Sequence, residues 1–259
     1  MTQLTPNSQT QKVAIVTGGS RGLGRSTVLA LAQRGVSVIL TWNNARAQAD
    51  EVVAEVAALG AKAVALQLDA GNSAAFDGFV GQVKDALTQL GVSRFDYLVN
   101  NAGTSHHGSI EKTTEAELDA LYNVHVKGVF FLTQKLLPLL NDGGRIINIS
   151  SGLTRFSVPE SGPYAAMKGA VEVLTRYLAK ELGPRGITAN TVAPGAIQTD
   201  FSGGVVRDNP QVNQVVSSMT ALGRPGVPDD IGPLIASLLS EASRWVNGQR
   251  IEASGGMVL

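Results

Sequence analysis

No cysteine occurs in the 259-residue chain, which excludes disulfides, thiolate metal ligands, iron–sulfur clusters and a cysteine nucleophile together. Histidine is nearly absent as well. The three present, His106, His107 and His125, show no ligand spacing, so no metal site is predicted. Neither sign of charge dominates: 21 Lys and Arg face 21 Asp and Glu, without the basic run that grips nucleic acid or a membrane surface. Long apolar runs are missing too. The best, near Val124 to Leu140, is broken by Lys127, Gln134, Lys135 and Pro138, where a membrane span needs about 20 mostly apolar residues. Met1 to Gln11 carries Pro6, lacks the apolar core of a secretion signal and reads as a short mobile arm. These exclusions predict a cytoplasmic protein whose partner is a small molecule, neither nucleic acid nor membrane.

Hydrophobic residues make up 44% of the chain and glycine numbers 29, which suits one large α/β domain over residues 12–259. Short β-branched runs alternate with helical patterns, and no linker or repeat divides them. Strands are predicted at Val13–Thr17, Ser37–Leu40, Ala63–Leu68, Tyr97–Val99, Arg145–Ile149, Thr188–Val192 and Gln249–Glu252. Helical patterns fall near Gly24–Arg34, Arg46–Leu59, Ser73–Leu90, Glu115–Leu139, Tyr164–Leu182 and Pro228–Leu239. Such alternation gives a doubly wound parallel sheet of about seven strands with helices on both faces. Residues 196–228 break the pattern with Gly203, Gly204, Pro210, Gly223, Pro225 and Gly226, and read as a mobile flap or a decorated surface loop.

Directly after the first strand stands Thr17-Gly18-Gly19-Ser20-Arg21-Gly22-Leu23-Gly24, followed by a helix. Glycines let the backbone turn sharply and approach a ligand, and the helix start offers free N–H groups to phosphate. The spacing G-x-x-x-G-x-G departs from the usual dinucleotide fingerprint, so by itself the turn is equally well a structural one. The second strand ends in Leu40-Thr41-Trp42-Asn43-Asn44, with no carboxylate to accept from a ribose 2′-hydroxyl. A 2′-phosphate meets no repulsion there, and Arg21 and Arg46 are cationic partners for it unless they are plain surface charges. NADP(H) is therefore favoured, with NAD(H) still open.

Tyr164 and Lys168 lie four apart and share a helix face, and Ser151 follows a strand. A neighbouring ammonium favours phenolate, which would let Tyr164 exchange a proton with a substrate oxygen. Spacing alone fits a surface Tyr/Lys pair as well.

The ordered set of motifs resembles the short-chain dehydrogenase/reductase family over essentially the whole chain, in the branch of the 3-oxoacyl-carrier-protein reductases. It comprises the Thr17–Gly24 turn, Asp69, Asn100-Asn101-Ala102-Gly103, Ser151, Tyr164-x-x-x-Lys168, Pro194-Gly195 with Thr199, Gly248 and Gly255-Gly256. The resemblance implies a single-domain Rossmann-type fold and hydride transfer between a nicotinamide and a ketone or alcohol. Tyr164 would be the general acid/base, Lys168 would lower its pKa and hold the nicotinamide ribose, and Ser151 would polarise the carbonyl. Gly18, Ser20, Arg21, Gly22, Leu23 and Gly24 would cradle phosphate, with Asn43 near the 2′ position. Asp69 and Ala70 would meet the adenine, and Asn101, Ala102 and Gly103 the adenosine side. Pro194, Gly195, Ile197 and Thr199 would line the nicotinamide end. One departure is chain-specific: aligning on Gly128 puts His125 where the family has a fourth catalytic residue, an asparagine thought to hold a relay water, and leaves Asn123 two out of register. A neutral imidazole could serve there, or be a packed histidine with the relay rerouted.

Leu153, Phe156, Pro159 and Phe201 suggest a partly apolar substrate pocket, while His106 and His107 read as solvated loop residues. By resemblance, the helices near 115–139 and 164–182 would pair between subunits into a homodimer or homotetramer. Two alternatives stay open: a nucleotide-binding regulator without turnover, and a dehydratase or epimerase on the same fold.

Overall fold

Strand β1 (Val13–Val16) is Val-Ala-Ile-Val, and all four residues are fully buried. Alternate side chains of a strand face opposite sides of its sheet, so a strand buried throughout must be covered on both faces. The computed structural model, which describes residues 11–259, shows that cover. Ala14 and Val16 join a core with Val28 and Leu31 of α1 (Gly22–Ala32), Val52 and Val56 of α2 (Arg46–Ala58) and Ile235 of the late helix Pro228–Leu238. Val13 and Ile15 face a second core with Phe76, Phe79 and Val83 of α3 (Phe76–Gln89) and Leu132 and Leu136 of a helix beyond it.

All seven expected strands form, in one parallel sheet ordered β3-β2-β1-β4-β5-β6-β7. They are β2 (Ser37–Trp42), β3 (Ala63–Gln67), β4 (Phe95–Asn100), β5 (Leu140–Ile149), β6 (Thr188–Pro194) and β7 (Arg250–Ala253). Strand β1 pairs with β2 on one side and β4 on the other, so the strand order reverses there. Ligands of doubly wound sheets bind outside the carboxyl ends of the strands at that reversal.

Two expectations needed revision. Strand β5 starts earlier than Arg145, because Leu140 pairs with Phe95 before a bulge lets Arg145 meet Tyr97. Gly143, at φ +73, supplies the left-handed residue in that irregular stretch. The helix expected over Glu115–Leu139 is broken into α4 (Glu115–Tyr122), a π-bulge at Asn123–Lys127, and α5 (Gly128–Leu136). At its far side a Cβ on Gly128 would stand 2.1 Å from the Ala70 carbonyl oxygen, so only glycine permits that approach. Residues 196–228 form organised structure, with α7 (Val205–Asp208) and α8 (Pro210–Met219) entered through three successive left-handed residues, Ser202, Gly203 and Gly204. Asn209 caps α8 by accepting from the Gln211 and Val212 amides, and Arg207 pairs with Asp200 and Asp208. Helices α6 (Gly162–Glu181) and α9 (Pro228–Leu238) complete the layers. The expected arm lies outside the described residues except for Gln11, whose amide donates to Ser37 Oγ and the Leu90 carbonyl.

The packing separates two kinds of glycine. Gly24→Ala puts a Cβ 2.1 Å from Gly18 O and should cost about 1–3 kcal/mol along with nucleotide affinity. Gly78→Ala, in α3 with nothing within 4 Å of its Cβ, should gain about 0.5–1 kcal/mol. Urea melts and an NADPH titration of the two variants check this contrast.

Candidate active site

At the reversal, Gly18 (φ +64) and Gly22 (φ +54) adopt the left-handed backbone that their turn requires. Gly24 lies in the first turn of α1 against the Gly18 carbonyl. Arg21, extended at the N-cap, makes no side-chain cap, and the first turn holds no acidic residue, so the α1 N–H groups stay available to an anion. Ser20 is buried, Leu23 packs against the core, and Arg21 is exposed and forms no ion pair among the described residues. Arg46 is held only loosely, 3.7 Å from Asp50.

The turn is fixed from below. Thr17 Oγ1 accepts from the amides of Asn101 and Ala102, at 3.0 and 2.9 Å, and Thr41 Oγ1 accepts from Gly18 N at 3.0 Å. The Asn101 side-chain amide donates to the Thr17 and Gly18 carbonyls, so its side-chain N–H groups are spent on positioning the glycine turn. Deeper still, the Asn100 amide donates to Thr133 Oγ1 and Asn148 Oδ1, and the Asn148 amide donates to Thr175 Oγ1. This buried ladder ties β4, α5, β5 and α6 together.

Tyr164 and Lys168 stand on the first turns of α6. Lys168 is 5% exposed, and its Nζ donates to the Ile149 carbonyl at 2.8 Å while lying 5.5 Å from the Tyr164 ring centroid. Burial pulls the Lys168 pKa down to about 7. Burial also pushes the Tyr164 phenol above its ordinary value. The resemblance implied a tyrosine lowered by lysine; burial acts on the phenol in the opposite direction.

Ser151 follows β5, and its Oγ accepts from the Leu153 amide at 3.2 Å. That leaves the hydroxyl hydrogen free to donate elsewhere. A charge network behind it had no sequence signal. Glu172 of α6 accepts from Ser150 Oγ, Thr154 Oγ1 and Arg250 Nε, and Arg250 also donates to the Ser151 carbonyl.

The π-bulge carries His125 inward, where it is 1% exposed and meets the Tyr164 ring edge-on at 5.3 Å. Its Nε2 lies 2.9 Å from the Thr104 carbonyl, so Nε2 carries the hydrogen, and Nδ1 is a buried acceptor with no partner among the described residues. Burial first, then the Lys168 charge, pull its pKa down to about 3 against the Thr104 bond. Gly103 makes room for it, since a Cβ there would fall 2.8 Å from the imidazole.

Other expected positions fall around this centre. Thr199 faces the glycine turn, 3.5 Å from where a Gly22 Cβ would be, and Ile197 bridges Gly226 across the base of the flap. Pro194 ends β6, and Gly195 lies so close to Ser254 that a Cβ would come within 2.9 Å. Asp69 and Asn43 are exposed at the rim: the Asp69 carboxylate accepts from Gly71 N, and the Asn43 carbonyl accepts from Gln67. Ala70 is tied to the packing of Gly128 by its carbonyl. The Phe201 ring lies 6.1 Å from Tyr164. His107 is exposed as expected and His106 is half-buried, its Nε2 buried with no partner among the described residues.

A glycine cradle at the sheet's reversal, a helix start free of carboxylates and a Ser/Tyr/Lys set beside it fit a nicotinamide dinucleotide. They define a nucleotide-dependent oxidoreductase. The chain belongs to the short-chain dehydrogenase/reductase family: a family model described as enoyl-(acyl carrier protein) reductase matches residues 18–258. It is 37% identical to a hydroxynaphthalene reductase-like protein, Arp2, of Metarhizium robertsii, over 98% of this chain and 97% of the relative. Among solved structures it is similar to the promiscuous reductase LugOII, which catalyses keto-reduction at C1 in lugdunomycin biosynthesis. The TM-score is 0.92 at 39% identity, covering 96% of this chain and 99% of that one. The angucycline C-6 ketoreductase LanV with bound NADP gives a TM-score of 0.90 at 35% identity, covering 95% of each chain. The protein is thus an NADP(H)-dependent oxidoreductase acting between a ketone and a secondary alcohol. No helix among the described residues is long and apolar enough to cross a membrane.

The buried imidazole makes a pH prediction. Its folded pKa, about 3, lies below the ordinary 6.5, so in that window the unfolded chain binds the extra proton and stability falls as pH falls. In urea melts between pH 6.5 and about 4, wild type should lose more stability than His125→Asn; parallel curves would contradict a neutral buried His125.

Proposed function

We propose that the chain works in the reducing direction on a ketone set in a flat, fused-ring aromatic compound, with Ser151, Tyr164 and Lys168 as its catalytic residues. The observation that carries this reading is the surroundings of the Tyr164 phenol, which has Lys168 one turn away, His125 edge-on at 5.3 Å and the exposed Phe201 ring at 6.1 Å. Reduction of a ketone needs an acid at its oxygen, and a protonated phenol is that acid. The ring of Phe201 and the apolar side chains of Leu153 and Phe156 suit a planar aromatic ligand, and the hydroxynaphthalene and angucycline enzymes among the relatives support the same class.

NADPH supplies the hydride when bound. The residues do the rest. Ser151, its Oγ already accepting from Leu153 N, turns its hydrogen to the carbonyl oxygen and orients it. Tyr164 gives its proton to that oxygen as the carbinol forms. Lys168, titrating near 7, returns a proton to the phenolate. His125 remains neutral and offers the Nδ1 lone pair beside this path, in the position that the family resemblance gives to asparagine.

The cofactor contacts proposed are the glycine turn Gly18–Gly24, Asn43, Asp69, Ala70, Ala102, Gly103, and Pro194 to Thr199, with Arg21 at the 2′-phosphate. Asn101 is assigned a positioning role under the turn. We propose a cytoplasmic homodimer or homotetramer, the association resting on Tyr122, Phe130, Phe131 and Tyr177, which α4, α5 and α6 leave exposed.

Tyr164→Phe should lower NADPH-dependent ketone reduction by about 100-fold or more while NADPH still binds. Full retention of activity would refute the acid assignment, and nucleotide binding without turnover by wild type across a ketone panel would favour a regulator. His125→Asn should stay within about an order of magnitude of wild-type kcat, whereas His125→Leu, with no acceptor, should fall further. Equal kinetics for the two variants would remove His125 from the relay.

A further inference from the structure

Arg155 lies four residues after Ser151 on the same loop, which closes on itself through Arg155 N donating to the Gly152 carbonyl. Its guanidinium makes bonds to two other parts of the chain. Nε and Nη2 grip both carboxylate oxygens of Glu252 on β7, at 2.8 and 2.7 Å. Nη1 donates to the Val258 carbonyl at 2.8 Å, and Nη2 donates to the Met257 carbonyl. The Glu252 carboxylate is braced in turn by Arg250 and Ser254.

The segment that Arg155 holds is a hook. Gly255, Gly256 and Val258 all have left-handed φ values, 65°, 76° and 53°, and Met257 between them is buried. The hook is clipped to the exit of the flap: Ala221 N donates to Gly256 O, Leu222 N to Gly255 O, and Val258 N to Met219 O. Thr220 and Met257 pair as an antiparallel bridge. One planar fork thereby joins the loop carrying Ser151 to the segment that ends α8, while Phe201 at the other end of that segment lies beside Tyr164.

We infer that Arg155 is a positioning residue: through the C-terminal hook it couples the seating of the flap over the ketone to the placement of the Ser151 hydroxyl. Every hydrogen bond its guanidinium makes is to the chain itself, and its face lies over the Phe156 ring at 5.3 Å. Its ion pair with Glu252 is partly exposed, a class of contact that contributes about 0–1 kcal/mol to stability. A fixed geometry, more than stability, is what the fork provides. A lysine can reach the same acceptors with three donors but cannot grip the carboxylate bidentately.

This inference rests on the ketone-reducing assignment of the same site, and its test has one readout independent of turnover. Arg155→Met should raise KM for the ketone by about five-fold or more and lower kcat, with NADPH affinity held within about two-fold and the melting temperature nearly unchanged. Arg155→Lys should recover part of the loss. In the absence of substrate, amide hydrogen exchange over residues 205–222 should be faster in Arg155→Met than in wild type. Unchanged kinetics and exchange would overturn the coupling, as would an equal loss of ketone and NADPH affinity, which marks general loosening. If wild type reduces no ketone, the functional assignment fails by itself, and the exchange experiment still decides whether Arg155 holds the flap.

Discussion

An ammonium taken out of water costs several kcal/mol unless opposite charge or hydrogen bonds compensate it, and Lys168 is almost fully buried with a neutral carbonyl, Ile149 O, as its hydrogen-bond partner. The outcome is a lysine whose charge is poised near neutrality. Much of the site follows from holding that group in place. The end of β5 supplies the carbonyl, α6 supplies the lysine and the tyrosine above it, and the Asn100–Asn148–Thr175 ladder sets the distance between strand and helix. The same desolvation raises the Tyr164 pKa and lowers that of His125, so one environment yields a protonated acid, a titrating lysine and a neutral imidazole.

Around that buried centre the polar groups divide into those that hold the backbone and those left free to act. Thr17, Thr41 and Asn101 spend their side chains on the glycine turn. Glu172 and Arg250 spend theirs behind Ser151. What faces the crevice is the remainder: the Tyr164 phenol, the hydrogen of Ser151, the free amides of the α1 start and Arg21, which has no ion-pair partner among the described residues. Substrate selection then falls to Phe201 and the neighbouring loops, which sit on the rigid sheet without belonging to it.

The strands were legible in the sequence because strands buried on both faces become short β-branched runs, and Val13–Val16 is such a run. The Tyr164–Lys168 pair was legible because helical pitch puts residues four apart on one face. Other features depend on contacts made across space. The break in the Glu115–Leu139 helix comes where Gly128 meets the Ala70 carbonyl, far away in the chain, and no periodicity records that meeting. For the same reason the sequence does not show that the Asn101 side-chain amide is committed to the Thr17 and Gly18 carbonyls. Nor does it link Arg155 to a carbonyl near the chain's other end. Burial at Tyr164, which depends on the whole fold, is likewise invisible in the spacing that pairs it with Lys168.

The dependence on a buried, half-charged lysine is tested most directly by following the side-chain amine signals of 15N-lysine-labelled protein by NMR across a pH titration, with Lys168→Met to assign the resonance. The account predicts that the Lys168 amine titrates near pH 7, well apart from the surface lysines. A Lys168 signal that titrates at the ordinary value of 10.5 would contradict it, because the ammonium would then be either solvated or paired with a charge that the fold does not supply.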